Sequence, residues 1–552
     1  MMPRLTLICL AAFMLMATGC KQHVKQSSPA RDSTVYTPEP YIEAKLDTLT
    51  IEGFLSAHPR YRDYDSLVRN FYIKRDFHLA WFSRDSLTEQ VGSFINMMRQ
   101  NKELGLMADS GLMNQRLGFL YDSVMVSGGR LESERLLQQM ELMLSSQFFL
   151  FAHKVWGGMA EGKVKDLEWF IPRKKMDMAA LINSVLESKG SKLESVEPLH
   201  PQYGKLRTHL KLLEELAEKE AWDSLRIQVK RYAPGDSAEL IGQVKERLSL
   251  LGFQNEEDRT HLYTSLFDSV IKEYRLCNGL ASDGTIDQEL VDNLNIPLKD
   301  RVRKILVNME RLRWVPDSPG NYYLLVNIPG FMLYAYENDS LKWSMPVVVG
   351  KPIHQTVVFS GSMKYVVFSP YWNIPRGILA NETLPAIKRD PSYLRKKNME
   401  VVSGKKVISA GSIDWKKYSA SSFPYMIRQK PGGGNALGKV KFLFPNEYSI
   451  YLHDTPSKSH FSADSRSFSH GCIRVSRPAE LAEYLLRNDS TWTADKIRRA
   501  MNSGKEKYVT LEQPVTVYIG YFTTWVDSKG HLNFRPDVYG HDAKLSALLF
   551  GK

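Results

Sequence analysis

Cysteine is scarce in this chain. Cys9, Cys20, Cys277 and Cys472 are the four among 552 residues, and neither a Cys-x-x-Cys nor a His-x-x-x-His pair occurs. That excludes a disulfide-stapled scaffold and the tight ligand pairs of ordinary structural zinc sites. Long apolar runs are lacking too: the one at Leu5–Ala17 is shorter than the roughly 20 residues that span a bilayer, and no comparable run follows. Gly432-Gly433-Gly434 lacks the downstream Lys-Ser/Thr of a phosphate loop, so nucleotide binding is not expected. The formal charge of +12 comes without zinc-finger spacing, an RNP-like signature or an arginine-rich arm, so nucleic acid is not an expected partner. A charge of that sign suits a membrane surface or a cell-wall glycan. What remains is an ordinary globular composition, 43% hydrophobic and 24% charged, with length for about three or four domains of roughly 100–200 residues.

The N-terminus predicts where the protein works. Arg4 precedes the apolar run, which closes on Ala17-Thr18-Gly19-Cys20. The pattern resembles a bacterial lipoprotein signal, although Ala17 stands where such signals most often carry Leu. The resemblance implies cleavage before Cys20 and lipid on that cysteine. A plain secretory peptide with an incidental cysteine is the alternative. Polar, aperiodic residues to about Glu43 read as a tether. The expected location is therefore outside the cytoplasm: exported, lipid-anchored in the cell envelope and facing the periplasm, with the membrane as partner through the lipid. A disulfide there would consume Cys472. Cys277 ends an apolar helical stripe that begins at Phe267 and reads as a buried core cysteine.

Periodicity divides the rest. From about Ile51 to Leu225 the pattern is helical, with stripes at Val91, Phe94, Ile95 and Met98 and at Leu136, Met140, Met143 and Leu144, the second preceded by a Ser133-Glu134 start signal. Trp81, Phe82, Trp156 and Phe170 are expected to fill a core. Between Ser237 and Asn295, Ile241, Val244, Leu248 and Leu251 mark one helix, Tyr263 to Cys277 a second, and Asp283-Gly284-Thr285-Ile286-Asp287 leads into a third, with Thr285 and Asp287 as capping candidates. Leu248–Phe253 and Phe267–Tyr274 resemble recurring elements of three-helix peptidoglycan-binding domains; a structural spacer is the alternative. From Tyr322 the period shortens to two, with turns at Pro329-Gly330 and Asn338-Asp339. The segment Ile378–Gln429 interrupts the strands with basic, proline-containing and helical-looking stretches, and reads as an insertion over the sheet.

The chemistry concentrates in Phe468-Ser469-His470-Gly471-Cys472-Ile473-Arg474-Val475 and, before it, Tyr451-Leu452-His453-Asp454. One cysteine, two histidines and an acid are raw material for thiol-based acyl transfer. A free thiol near pKa 8.5 is only a few per cent thiolate at neutral pH, so a neighbouring imidazolium is needed to hold Cys472 as thiolate. If 469–475 were one strand, His470 and Cys472 would share a face roughly 6.5–7 Å apart, too far for a hydrogen bond. His453 on a paired strand would sit closer, which makes it the expected base and His470 a second wall; the reversed assignment stays open. Asp454 or a nearby carbonyl would orient the histidine. Gly471 and Cys472 N–H groups are candidate oxyanion donors, and Arg474 a carboxylate contact or else a structural ion pair. A zinc site of His453, His470 and Cys472 is the competing reading.

Ser469-His470-Gly471-Cys472-Ile473-Arg474-Val475, with His453 seventeen residues before His470, resembles the signature of the YkuD-type L,D-transpeptidases. The likeness extends through Arg428–Gly432, Asn435–Gly438 and Tyr451–Pro456. It implies a multidomain α+β fold: signal peptide 1–19, tether 20–50, helical scaffold domain 51–235, peptidoglycan-binding-like three-helix domain 236–298, β-rich catalytic domain 299–525 with a capping insertion at about 376–430, and C-terminal extension 526–552. It also implies a peptidoglycan stem tetrapeptide as donor, a diamino acid as acceptor, Cys472 as nucleophile, His453 as base, His470 and Gly471 beside them, and no metal or organic cofactor. Carbapenem acylation of the cysteine comes with the resemblance. Ser469, Arg474, Asp454, Tyr371, Trp372 and Asn373 are carried as substrate-binding candidates. Asp454-Thr455-Pro456 departs from the Gly or Ser that often follows the family's histidine. An L,D-carboxypeptidase acting on the same stems and a non-catalytic wall-binding lipoprotein are the alternatives.

Overall fold

The computed structural model describes residues 45–103, 113–131, 133–188, 196–219, 223–254, 258, 260–316 and 318–551. The expected signal, the tether up to residue 44 and Cys20 lie outside the described residues.

The N-terminal part is helical. Helices α1 (Thr48–Ala57), α2 (Asp65–Lys74), α3 (Glu89–Glu103), α4 (Gln115–Val126), α5 (Glu134–Phe151) and α6 (Met178–Glu187) surround one apolar cluster. Val91, Phe94, Ile95 and Met98 are buried as their spacing predicts. Ser133 caps α5 by accepting from Leu136 N–H. The α5 stripe needs correction: Leu136 is 38% exposed and Leu137 takes the core position. From Met140 to Phe151 every side chain of α5 is buried, so the helix threads the cluster and has no single apolar face. Its buried Glu141 is tolerated because the carboxylate accepts from Ala80 N–H, Trp81 N–H and the Tyr72 hydroxyl. Trp81, Phe82 and Trp156 are buried; Phe170, expected in the core, is partly exposed beside Tyr448.

After α7 (Pro201–Glu218) comes a three-helix unit, α8 (Glu239–Leu250), α9 (Ser265–Cys277) and α10 (Gln288–Leu294), with its own apolar cluster. Asp287 caps α10 through Leu290 N–H, and Thr264 caps α9 through Phe267 N–H. Thr285, expected as a cap, instead closes a turn with the Asp283 carboxylate. Helix α11 (Leu298–Trp314) then packs along α7 and leads into the β-rich part.

That part is built on a closed mixed sheet. Its strands are β1 (Tyr322–Asn327), β2 (Met332–Glu337), β3 (Ser340–Gly350), β4 (Val358–Phe368), β5 (Trp372–Asn373), β6 (Met399–Ser403), β7 (Lys406–Ile408), β8 (Met426–Gln429), β9 (Val440–Leu443), β10 (Leu452–His453), β11 (Ser467–Ser469), β12 (Ile473–Val475) and β13 (Lys507–Gly520). The order β9-β10-β12-β3-β2-β1-β13-β4 returns to β9, which removes the open edges. Asn338 and Asp339 both take positive φ, the two-residue hairpin turn that joins β2 to β3. Strands β5, β8, β6 and β7 form a separate antiparallel sheet with its own apolar cluster. The insertion is thus mixed α/β, where sequence periodicity suggested helix. Beyond β13, the hairpin β14 (Thr524–Val526) and β15 (Leu532–Phe534) and helix α12 (His541–Phe550) complete the chain.

Candidate active site

The stretch 469–475 is not one strand. Strand β11 ends at Ser469, β12 begins at Ile473, and between them Gly471 takes φ +113°. That conformation strains any residue with a Cβ, and it turns His470 and Cys472 away from a shared face. Ser469, buried beneath the loop, ties it together: its hydroxyl donates to Cys472 O and accepts Gly471 N–H. Gly471 O accepts from the Thr356 hydroxyl, and Lys351 N–H donates to Ser469 O, so the end of β3 holds the loop from the other side. Ser469 is therefore a positioning residue, and Gly471 N–H is already engaged. Cys472 N–H has no acceptor among the described residues, so it is available as a donor.

The pairing of β10 with β12 is parallel, with Leu452 opposite Ile473 and His453 opposite Arg474. In that register Tyr451, rather than His453, lies level with Cys472. The half-buried thiol contacts Ser449 O at 3.7 Å and the Tyr451 hydroxyl. Burial pushes its pKa up, and the Tyr451 hydrogen bonds and Arg474 act against that shift. The Tyr451 phenol is itself raised by burial and then by Cys472, and it also contacts the Trp372 side chain. The Tyr451 and His453 rings lie 5.7 Å apart, so Tyr451 contacts the thiol and also neighbours the imidazole.

His453 is buried, and its Nδ1–H donates to Asp454 O. Nε2 is therefore the nitrogen left to accept a proton. Burial lowers the imidazole pKa to about 4; the Asp454 carbonyl opposes the shift and Arg474 adds to it. The resting pair is consequently thiol and neutral imidazole, not the thiolate–imidazolium pair that the sequence suggested. The Asp454 carboxylate acts on His453 through charge alone, opposing the shift, and makes no hydrogen bond to it. It binds Lys439 N–H, Thr455 N–H and Lys458 Nζ at 2.6–2.9 Å and serves the loop, so only its carbonyl orients the histidine and no substrate contact is left to it.

His470 faces the insertion: Nε2 lies 2.9 Å from Glu382 Oε1, and its ring stacks on His354 at 5.0 Å. The three zinc-ligand candidates 453, 470 and 472 thus do not converge. Arg474 forms no ion pair among the described residues; Nη1 lies 3.3 Å from His460 Nδ1 and the buried Nε has no partner. The structural ion pair considered for it is absent from these contacts. Tyr371 packs under the Arg428 guanidinium at 4.0 Å, which is insertion packing. Trp372 and Asn373 form β5, and Trp372 reaches the site through Tyr451. Sequence reasoning missed Tyr451 and Glu382 as site residues. Tyr451 lies two residues before His453, just ahead of β10, a spacing that in extended chain places both on one face; nothing local marks Glu382.

Residues 321–507 match the family model of the L,D-transpeptidase catalytic domain (YkuD), and residues 66–210 that of the scaffold domain. A protein of Haemophilus influenzae provisionally named an L,D-transpeptidase is 33% identical over 245 residues, covering 44% of this chain and 49% of that protein. The match thus spans about half the length of this curated relative. Among solved structures, an L,D-transpeptidase of Xylanimonas cellulosilytica is 13% identical (53% of this chain, 100% of that chain, TM-score 0.18). One from Mycobacterium smegmatis is 14% identical (36% and 58%, TM-score 0.18). Likeness that low carries no argument. The family models do: this chain carries a YkuD-type L,D-transpeptidase catalytic domain at residues 321–507 and a scaffold domain at residues 66–210.

Proposed function

We propose that the protein cross-links peptidoglycan stem peptides through a thioester on Cys472. The observation that carries this reading is a half-buried thiol at the Gly471 break, next to the strand paired with that of His453, whose Nδ1 is engaged by Asp454 O, and an arginine with no carboxylate partner among the described residues. Cys472 Sγ attacks the carbonyl joining the third, diamino-acid residue of a tetrapeptide stem to its fourth, D-alanine. The thiol proton passes to His453 Nε2, and Cys472 N–H receives the developing oxyanion. Collapse breaks the C–N bond, His453 returns the proton to the leaving amine, and D-alanine departs. The side-chain amine of a second stem then attacks the thioester. It loses its proton to His453, which restores the Cys472 thiol and leaves a bond between two third residues. A thiol held protonated fits this order, since its proton moves as the bond forms.

Arg474 binds donor carboxylate or carbonyl oxygen, and Trp372 and Asn373 contribute the cap wall. The N-terminal features support a lipid anchor at Cys20 and a periplasmic location. The three-helix unit at 236–298 is proposed to contact glycan. The test is to incubate the full chain and its Cys472→Ala variant with disaccharide-tetrapeptide and to record protein and product masses. An acyl adduct on the parent alone, with a dimer lacking one D-alanine, supports the proposal. Tripeptide monomer alone assigns a carboxypeptidase, and a folded protein with neither product points to wall binding.

A further inference from the structure

The seam between the three-helix unit and the β14–β15 hairpin gathers side chains that the proposed reaction does not use. Cys277 ends α9 and is 2% exposed; Glu273 lies one turn earlier on the same helix. Opposite them the hairpin turn supplies Asp527 and His531. One donor atom each from Cys277, Asp527 and His531 lie within 4.8 Å of one another, with Cys277 Sγ 3.9 Å from Asp527 Oδ2. His531 Nδ1 is buried without a hydrogen-bond partner and lies 3.3 Å from Glu273 Oε1. This is the single group of its kind among the described residues.

We propose that these residues form a structural site for zinc or a similar borderline divalent cation, clamping the three-helix unit to the catalytic part. Thiolate and imidazole together select such a cation over calcium or magnesium. In a tetrahedral site with bonds of about 2.0–2.3 Å, neighbouring donors stand roughly 3.3–3.7 Å apart, so Cys277, Asp527 and His531, now within 4.8 Å, close around the ion by shortening their separations by up to about 1.5 Å. The frame is already set. Lys529 and His531 N–H groups and Asn533 Nδ2 fix the Asp527 carboxylate, and Phe253 stacks on the His531 ring at 5.0 Å. The Arg535 guanidinium binds Cys277 O and Leu276 O, docking the hairpin on the end of α9. Glu273 supplies the fourth ligand by turning from Lys529, whose ammonium lies on the open side of the seam. Four protein ligands leave no open position, which makes the site structural and not catalytic. On binding, the Cys277 thiol and the ion exchange a proton for a sulfur–metal bond, and the proton leaves to solvent.

The test uses the full chain carrying Cys472→Ala, stripped with a chelator, so that the active-site thiol is out of play. Calorimetric titration with zinc should show one ion per chain, and the melting temperature should rise by about 2–4 °C at zinc well above Kd. Cobalt in its place should give a thiolate-to-metal charge-transfer band that Cys277→Ser removes. His531→Gln, on the hairpin side, should weaken binding by at least about tenfold, in the range of a lost ligand or its support. If Cys277→Ser fails to fold, the cobalt band of the parent and the His531→Gln affinity decide alone. Zinc affinity unchanged by His531→Gln, a cobalt spectrum without a thiolate band, or no zinc bound to the parent overturns the proposal.

Discussion

The two walls of the cleft are built differently. On the barrel side Ser469, His453 and Asp454 are almost fully buried, and each is held by at least one hydrogen bond to neighbouring backbone. The insertion side rests on a small sheet with a separate apolar cluster, and it meets the barrel's loop through His470 and Glu382, whose side chains are 40% and 53% exposed. The difference separates tasks: the wall fixed by backbone holds the reacting atoms, and the wall with its own core is free to differ in what it admits. Breaking a barrel-side contact should cost turnover, while breaking an insertion-side contact should cost substrate affinity.

The largest effect is expected at Cys472. Cys472→Ala removes the thioester, so the acyl adduct and all product should vanish in mass spectra while the melting temperature stays near that of the parent. A carbapenem should add covalently to the parent and not to this variant. Residual cross-linking by the variant would move the nucleophile elsewhere.

His453→Gln comes next. Loss of the base should lower kcat/KM by about 10²–10⁴-fold with little change in KM. Because the pKa of His453 is near 4, the active, neutral form persists well below the usual 6.5, and the acid limb of the rate profile should fall near pH 4. Stability carries the same signature. Between pH 6.5 and 4 the unfolded chain binds the proton that native His453 refuses, so stability is lost as pH falls through that window, on the order of 3 kcal/mol over its full width. Urea unfolding at pH 7 and pH 4.5 should show a shallower pH slope in His453→Gln than in the parent. Equal slopes would mean that the imidazole titrates normally.

Gly471→Ala tests how the barrel side is held. An added Cβ would meet nothing closer than 3.7 Å, so its cost is backbone strain at φ +113°, about 1–3 kcal/mol, and not a clash. Relief of that strain shifts the loop, and kcat should fall by about 10–100-fold, since small misplacements are costly in rate. A variant with parental kcat would show that the loop tolerates a different path.

These residues also mark where the sequence was legible. The Ser-His-Gly-Cys run and the apolar periods of β1 to β4 announce the catalytic part, because both are local in the chain. The glycine's positive φ breaks the strand that its neighbours suggest, and no local pattern reports it. Parallel register is set by the closed barrel, so a local reading paired Cys472 with His453 and missed Tyr451. Leu136 and Leu137 are equally apolar, and only the packing around α5 decides between them. In the insertion, the adjacent Val401 and Val402 are both buried, so β6 shows no period of two, and the small sheet that buries them with Ile427 joins distant segments.

The smallest predicted effect discriminates most sharply between the walls. The His470–Glu382 contact is half exposed on both sides, and such pairs contribute about 0–1 kcal/mol. Glu382→Gln keeps the shape and removes the charge. If the contact only steadies the insertion over the cleft, KM should change by up to about fivefold, kcat should hold, and the melting temperature should stay within about 1 °C. A fall in kcat of tenfold or more would instead mean that Glu382 acts through His470 on the reacting atoms. That outcome would hand the base's role, or part of it, to His470 and would erase the division between a wall that reacts and a wall that selects.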